Sequence, residues 1–453
     1  MTGPVPTSDV SLPVTESHTK DIMTNTSFLS RLNSADAGDQ RATLLFGGQA
    51  TAWRAGLTDL AEDPSLADAV RGVLTDSTAL IAPVAAQLTA ATAGALTLER
   101  LTGATGSVSA ALSVPGITVA QFGQLAALKA AGYDAAAAVA DERASVLGHS
   151  QGVLGAALVD GRAGDPAHVV AIARLIGAAA SRLTRSLGVS AGEATPMLSV
   201  RGLDRATLDA VLVEVAEAAG GAETGVQVAI RNGHRRFILS GSPEDLGVVE
   251  KTIAVVADKD AAELAAKIRG GAPLAPVCEY LDVTVPFHHD MMEPAVARTV
   301  AWAETCGLNT DGAAEKLARA VLTDHVDWVE GIVDALALGT TWFLDLGPGD
   351  TVARLSADLV EGSGAGLVAA GTLAAVDGLA APGGDPDRTV DWSSFAPRLL
   401  DLPTGRTVET AFTRLTGRSP VLLAGMTPTT VDPEIVAAAA NAGYWAEMAG
   451  GGQ

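Results

Sequence analysis

Cysteine and positive charge are both scarce in this 453-residue chain. The two cysteines, Cys278 and Cys306, provide no disulfide framework and stand at no metal-ligand spacing, so we expect a reducing, cytoplasmic compartment and no bound metal. Lysine and arginine number 30 against 52 aspartates and glutamates, which gives a formal net charge of −22. Because phosphate contacts need clustered basic side chains, this balance argues against a nucleic-acid-binding protein.

Signals for secretion or for a membrane are also missing. The N-terminal segment lacks the basic start, apolar stretch and small-residue cleavage site of a signal peptide. The most apolar long stretch, Leu80 to Leu98, contains Pro83 and Gln87, which favours an amphipathic helix over a membrane span. We therefore expect no transmembrane segment and no membrane partner. Hydrophobic residues make up 48% of the chain, enough for a large core.

The alternation of predicted strands and helices favours an α/β fold, with a largely parallel sheet covered by helices on both faces. From Met197 to Val256 the predicted order is β-α-β-β-α, which is typical of a ferredoxin-like α+β subdomain. A final strand-helix-strand unit cannot bury its own faces, so it indicates the opening of an incomplete domain. The predicted boundaries are an N-terminal arm at 1–40, the α/β core at 41–195 and 276–372, the inserted subdomain at 196–275, a Gly- and Pro-rich linker at 373–418 and the incomplete domain at 419–453.

One motif predicts a nucleophile. The residues Gly148-His149-Ser150-Gln151-Gly152 fit G-x-S-x-G and lie between a predicted strand and a predicted helix. In such a turn the glycines permit a sharp change of direction, the serine hydroxyl projects into a cleft, and the helix N-terminus supplies N–H groups to an oxyanion. The alternative is an ordinary strand-to-helix turn without chemistry.

A nucleophilic serine needs a base, and the tandem pair His288-His289 follows a predicted strand that would run beside the strand before Ser150. We predict that His288 reaches the Ser150 hydroxyl, with His289 as the alternative. His149 adjoins the serine but would point elsewhere. A histidine can also be an ordinary core or surface group.

Several motifs in a fixed order resemble the acyl-CoA:acyl-carrier-protein transacylases, the malonyl- and acetyltransferases. They are FGGQ at 46–49, GHSQG at 148–152, VPFH at 285–288 and LDLGPG at 344–349, with the ferredoxin-like insertion between the second and third. The resemblance covers about residues 41–372 and implies a hydrolase-like α/β core.

The resemblance implies a role for each matching residue. Ser150 would be the nucleophile and His288 the base. The backbone N–H groups of Gln49 and Gln151 would form the oxyanion hole. The usual motif has proline where this chain has Gly47, a departure that leaves the Gly-Gln part intact.

Within that family the chain is most similar to the amino-terminal acetyltransferase domain of bacterial type I fatty acid synthase. Gln151 stands where malonyl transferases more often carry leucine. Malonyl-selective relatives also place an arginine about 25 residues beyond the serine, and here Ile176 occupies that position, which suits an uncharged acetyl group. Arg174 and Arg182 lie about 160° and 120° away around the helix. A slip of two residues in this alignment would restore Arg174 and malonyl binding.

Asn232 could line the substrate cleft, as the matching asparagine does in relatives. Asn232-Gly233 is also a preferred hairpin turn that needs no functional reason.

The final segment resembles the first βαβ unit of the FMN-dependent enoyl reductase that follows the acetyltransferase in those synthases. Only one of eight barrel units is present, so we expect no complete flavin site, and the acetyltransferase itself needs no cofactor.

The resemblance implies transfer of acetyl from acetyl-CoA to the phosphopantetheine thiol of acyl carrier protein, which primes fatty acid synthesis. It also implies contact with other synthase domains and a homo-oligomer in the full synthase. The alternatives are another acyl selectivity such as malonyl, a serine esterase or thioesterase, and a non-enzymatic assembly segment. An esterase of the α/β-hydrolase type would need an Asp or Glu between Ser and His in chain order.

Overall fold

The computed structural model describes residues 26–34, 40–49, 51–88, 96–104, 108–186, 195–221, 225–267, 274–383, 385–402, 405–427 and 430–450. The helices in this part of the chain are α1 (Phe28–Asn33), α2 (Trp53–Glu62), α3 (Pro64–Leu80), α4 (Leu98–Thr102), α5 (Ala110–Ala130), α6 (Ala135–Ala140), α7 (Val153–Asp160), α8 (Pro166–Ser186), α9 (Arg205–Ala218), α10 (Pro243–Lys267), α11 (Glu293–Thr305), α12 (Ala313–Leu322), α13 (Trp328–Ala337), α14 (Thr351–Val360), α15 (Leu373–Ala380), α16 (Ala411–Thr416) and α17 (Pro433–Asn441). The strands are β1 (Ala42–Phe46), β2 (Ala144–Gly148), β3 (Met197–Arg201), β4 (Val226–Gly233), β5 (Arg236–Gly241), β6 (Val277–Tyr280), β7 (Val326–Asp327), β8 (Trp342–Asp345), β9 (Gly366–Ala369), β10 (Leu399–Leu402), β11 (Gly405–Val408), β12 (Leu422–Leu423) and β13 (Trp445–Ala446).

The chain divides into two compact units, residues 1–390 and 391–453. The first unit contains a four-stranded parallel sheet in the order β2-β1-β8-β9. All five residues of β1 are buried because helices cover both faces of the sheet. Leu44 and Phe46 pack with α5 and α7 on one face, and Leu45 packs with α13 and α14 on the other. The α/β fold with a parallel sheet that the sequence predicts is confirmed.

The inserted subdomain has the order β3-α9-β4-β5-α10-β6, and its sheet order is β6-β3-β5-β4, with the short β7 added beside β4. One face of this sheet packs on α9 and α10 through a separate hydrophobic cluster. The fourth strand, β6, pairs with β3 along Val277 to Tyr280, so the subdomain extends past residue 275, where the sequence placed its end.

The expectation of a solvated N-terminal arm over 1–40 is wrong for α1. Phe28, Leu29 and Leu32 are buried, and the ring of Phe28 meets Trp342 edge-on at 4.9 Å between centroids. Burial of an apolar stripe at positions i, i+1 and i+4 explains why this short helix is docked on the core. The rest of the predicted arm, 1–25 and 35–39, lies outside the described residues.

The predicted linker, 373–418, also begins too early. α15 packs against α1, with Val376 buried in the core of the first unit. The chain leaves the first unit only after Val390.

The second unit contains an antiparallel hairpin of β10 and β11 and a parallel pair of β12 and β13 with α17 between them. The strand-helix-strand arrangement predicted for the last residues is therefore formed.

Two helices of the first unit, α5 and α8, are long and apolar enough to cross a membrane by length and composition alone. In each, 78% of the apolar window is buried against the rest of the protein, which is typical of a core helix.

Candidate active site

Ser150 lies at a sharp turn between β2 and α7. Its φ of 56° falls in the left-handed region, which a non-glycine residue occupies only when its surroundings hold it there. Both flanking glycines are sterically required. A Cβ on Gly152 would lie 1.9 Å from the carbonyl oxygen of Phe46, and one on Gly148 would lie 2.3 Å from the N of Val153. The motif therefore forms a strained elbow whose serine projects into a cavity.

His288 supplies the imidazole beside this serine. The Ser150 hydroxyl oxygen and His288 Nε2 lie 2.7 Å apart. His288 Nδ1 lies 2.7 Å from the backbone carbonyl oxygen of Asp324, and since a carbonyl only accepts, Nδ1 carries the proton. In the neutral ring Nε2 is then unprotonated and accepts from the serine hydroxyl. Complete burial lowers the pKa of His288 to about 4, so the ring is neutral at physiological pH.

The strand expected before His288 is not formed. Residues 281–289 are an irregular segment in which Phe287 N–H donates to the carbonyl of Val285, and His288 has a φ of 59°. His289 turns away from Ser150. Its Nε2 lies 3.2 Å from the Gly225 carbonyl, and its Nδ1 accepts from the Met291 N–H. The structure therefore brings His288, and not His289, to the serine.

The segment carrying Gln49 packs directly against the elbow. A Cβ on Gly48 would lie 3.0 Å from the backbone N of Gln151. The Gln49 side chain donates to Gln151 Oε1 at 2.7 Å and to Ser113 Oγ at 3.0 Å, which locks the two turns together. In the described part of the chain, the backbone N–H groups of Gln49 and Gln151 donate no intramolecular hydrogen bond. Both are therefore available to a developing oxyanion.

The cavity above Ser150 lies between the parallel sheet and the open face of the subdomain sheet and has a volume of about 280 Å³. Its wall is mostly apolar. The lining residues are Gly48, Gln49, His149, Ser150, Met197, Ser199, Arg201, Ile230, Asn232, Arg236, Phe237, Ile238, Leu281, Val283, Phe287, Thr351, Val352 and Leu355.

Asn232 lies in the cavity wall, and its Oδ1 is 2.6 Å from Nε2 of His149. An amide oxygen accepts, so His149 donates through Nε2 and leaves the Asn232 amide NH₂ as the group that can meet a ligand. Burial lowers the pKa of His149, which keeps its ring neutral, and Trp328 packs edge-on at 5.1 Å.

Ile176 is fully buried in the hydrophobic cluster that also contains Phe287 and Ile230, but it is not among the lining residues. The structure therefore does not bring Ile176 to the cavity surface. Arg174 is buried on another face of α8 and donates to the hydroxyls of Ser77 and Thr78 at 3.2 and 2.7 Å. Burial lowers the pKa of the Arg174 guanidinium to about 10.

Two lining cations, Arg201 and Arg236, were not predicted as site residues from the sequence. Met197, Ser199 and Arg201 alternate along β3, and this period of two was the signal available. The Asp324 carbonyl that orients His288 is a backbone atom and leaves no trace in residue type. Among the described residues no cluster of three or more His, Cys, Asp or Glu side chains could hold a metal ion.

Comparison with solved structures defines the class of fold. FabD from Acinetobacter baumannii aligns over 75% of this chain and 97% of its own, with a TM-score of 0.54 and 18% sequence identity. A malonyl-transacylase solved with its type II polyketide synthase acyl-carrier protein aligns over 75% and 99%, with a TM-score of 0.51 and 17% identity. The first unit therefore has the α/β fold of the malonyl-CoA:acyl-carrier-protein transacylases.

Sequence comparison finds similarity to fatty acid synthases in particular. Residues 196–280 match the family model of the fatty acid synthase central AT domain. The fatty acid synthase beta subunit aflB of Emericella nidulans is 29% identical over 289 residues, which cover 57% of this chain and 14% of that subunit. Other fungal fatty acid synthase beta subunits match similarly. The chain spans about one seventh of the length of these curated relatives.

Proposed function

We propose that the first unit transfers an acyl group, by way of an ester on Ser150, from a CoA thioester to the phosphopantetheine thiol of an acyl carrier protein in fatty acid synthesis. The observation that carries this proposal is the short contact between the unprotonated Nε2 of His288 and the hydroxyl of Ser150, a serine that lines a mostly apolar cavity. The fungal synthase relatives and the malonyl-transacylase fold support acyl transfer as the reaction and an acyl carrier protein as the partner.

In each half of the reaction, His288 takes up one proton and gives it back. Ser150 Oγ attacks the thioester carbonyl carbon while its proton passes to His288 Nε2. The oxyanion accepts from the N–H groups of Gln49 and Gln151. Collapse breaks the carbon–sulfur bond, and His288 returns the proton to the departing CoA sulfur. The carrier thiol then gives its proton to His288 and attacks the Ser150 ester, and as the carbon–oxygen bond breaks His288 returns the proton to Ser150 Oγ.

The Asp324 carbonyl bears on the esterase alternative. A hydrolase triad places a carboxylate on the histidine nitrogen remote from serine, where it stabilises the imidazolium. Here a neutral carbonyl occupies that place, 2.7 Å from His288 Nδ1. This arrangement favours a Ser–His pair over a triad.

For the acyl group we propose acetyl, and the alternative is malonyl. A malonyl carboxylate would need a buried cation near Ser150. Arg174 is engaged with Ser77 and Thr78, and it does not line the cavity. Ile176, at the position where malonyl-selective relatives carry arginine, is apolar and fully buried. An acetyl group leaves no charge to compensate.

Intact mass after mixing with acetyl-CoA and, separately, with malonyl-CoA tests both proposals. We expect an acetyl adduct that peptide mapping places on Ser150 and that Ser150→Ala abolishes, together with transfer to holo carrier protein. An adduct on Cys278, Cys306 or a lysine would contradict the mechanism. A higher kcat/KM for malonyl-CoA than for acetyl-CoA would contradict only the acyl choice.

The second unit does not fit a flavin on its own residues. Residues 424–427, the turn that resembles the flavin border of enoyl reductases, are solvent-exposed beside a two-stranded parallel pair. A complete barrel site draws loops from eight such units. We propose that these 453 residues bind no FMN, that they act within a larger cytoplasmic, homo-oligomeric synthase, and that an absorbance spectrum of the purified chain lacks flavin bands.

A further inference from the structure

The cavity wall changes from apolar to cationic between its buried and open ends. Along β3, Met197 is buried, Ser199 follows two residues later, and Arg201 is exposed, and all three line the cavity. At the rise of an extended strand, the four steps from Met197 to Arg201 span about 14 Å. A ligand that reaches Ser150 along this wall therefore passes a positively charged opening.

Arg236 stands directly opposite Arg201 in the antiparallel β3–β5 pair, and it also lines the cavity. Like charges opposite each other on neighbouring strands repel unless an anion lies between them. Arg201 forms an ion pair with Glu279 at 3.1 Å, and Arg236 forms one with Asp358 at 3.2 Å. Both carboxylate side chains are mainly exposed, at 65% and 76%, so water screens these pairs and a stronger anion can replace them.

We infer that Arg201 and Arg236 together bind the phosphate at the far end of the pantetheine arm while its sulfur lies at Ser150. About thirteen bonds separate the sulfur from the phosphorus in that arm, and an extended chain of that length spans roughly 15 Å. An arm of that length can extend along the wall that β3 forms from Met197 to Arg201, in the same cavity that Ser150 lines. Guanidinium groups are suited to this role because they donate two parallel hydrogen bonds to phosphate oxygens.

This inference rests on the proposed acyl transfer and identifies the residues that bind the part of the substrate that does not react. The phosphate occurs both in CoA and on the carrier protein, so the pair would serve the donor and the acceptor in turn. In a chain with a net charge of −22, a local pair of cations also offsets repulsion of these anionic substrates.

The test compares three acetyl donors that differ only beyond the arm: acetyl-CoA, acetyl-4′-phosphopantetheine and acetylpantetheine, which lacks phosphate. The kcat/KM for acylation of Ser150 is measured in wild type, Arg201→Gln and Arg236→Gln. We expect each substitution to lower kcat/KM about 10-fold for the two phosphate-bearing donors and to leave acetylpantetheine within about 2-fold. Arg235→Gln is the matched control, because Arg235 is exposed in the same hairpin and does not line the cavity.

The outcomes separate the possible errors. Equal losses on all three donors mean that the arginines act through the fold and overturn the inference, as does no loss on any donor. A loss confined to acetyl-CoA moves the contact to the nucleotide and also overturns it. Failure of wild type to form an adduct with any donor refutes the proposed acyl transfer itself. Deacylation by holo carrier protein, compared with free pantetheine, tells whether the carrier phosphate uses the same pair.

Discussion

The pKa of His288 makes a sharp prediction for the pH dependence of Ser150 acylation. Burial lowers this pKa from 6.5 to about 4, and only the neutral ring can accept the serine proton. At pH 5 a group with a pKa of 4 is about 90% neutral, whereas an unperturbed histidine is about 3% neutral. The acylation rate at pH 5 should therefore stay close to its plateau, and burial accounts for a roughly 30-fold difference at that pH.

The assay is single-turnover acylation followed by intact mass from pH 4.5 to 8, with acetylpantetheine as donor because it carries no phosphate that titrates. His288→Ala should lower the plateau by about 10²- to 10⁴-fold, while His289→Ala changes it little. Burial also raises the pKa of Asp345 to about 6, so Asp345→Asn is needed to exclude its titration as the source of any inflection. A half-maximal rate near pH 6.5 in wild type and in Asp345→Asn would refute a desolvated base.

The lowered pKa of His288 also makes folding stability depend on pH, and this effect is separate from the effect on catalysis. His288 has a lower pKa in the folded state than in the unfolded chain, so the unfolded chain binds more protons between these values. The contribution to stability is complete above about pH 6.5 and is lost as pH falls toward 4, by roughly 3 kcal/mol in total. Circular dichroism at each pH must therefore show a folded protein before a rate is used.

Two further substitutions test the construction of the site. Gly152→Ala should lower the free energy of unfolding by more than about 3 kcal/mol and remove acylation, because its Cβ would meet the backbone oxygen of Phe46 at 1.9 Å. Gly72→Ala is the control: the space around its Cβ is open, so it should be neutral or slightly stabilising in urea unfolding. Equal effects of the two would contradict the packing of the elbow. Asn232→Ala should cost about 1 to 3 kcal/mol in the same measurement because it leaves the buried N–H of His149 without an acceptor, and an unchanged urea midpoint would disprove that pairing.

The sequence predicted those features that depend on steric or periodic constraints. The elbow was predictable because Gly148 and Gly152 have no room for a Cβ, so the motif records the geometry directly. The β-α-β-β-α pattern likewise identified the subdomain, and only its last strand was missed. The proximity of His288 to Ser150 followed from the VPFH motif, although the strand invoked to explain it does not exist.

Other features depended on tertiary contacts that leave no local pattern. The α1 helix is only six residues long, and its place was fixed by packing on Trp342 and α15. The orientation of His288 depends on the carbonyl of Asp324, a group that every residue type possesses. The position of Ile176 relative to the cavity depends on how α8 is rotated, which a one-residue change in alignment alters by about 100°.

The contact between Ser150 and His288 joins residues that are 138 positions apart, and the whole inserted subdomain lies between them. A ribosome adding about 5 to 20 residues per second takes roughly 7 to 28 s to make that stretch. During this interval the emerging polypeptide already contains Ser150 but not the imidazole that would activate it. The nascent chain is therefore inert toward cellular thioesters until the subdomain and the segment after it have been synthesised and folded.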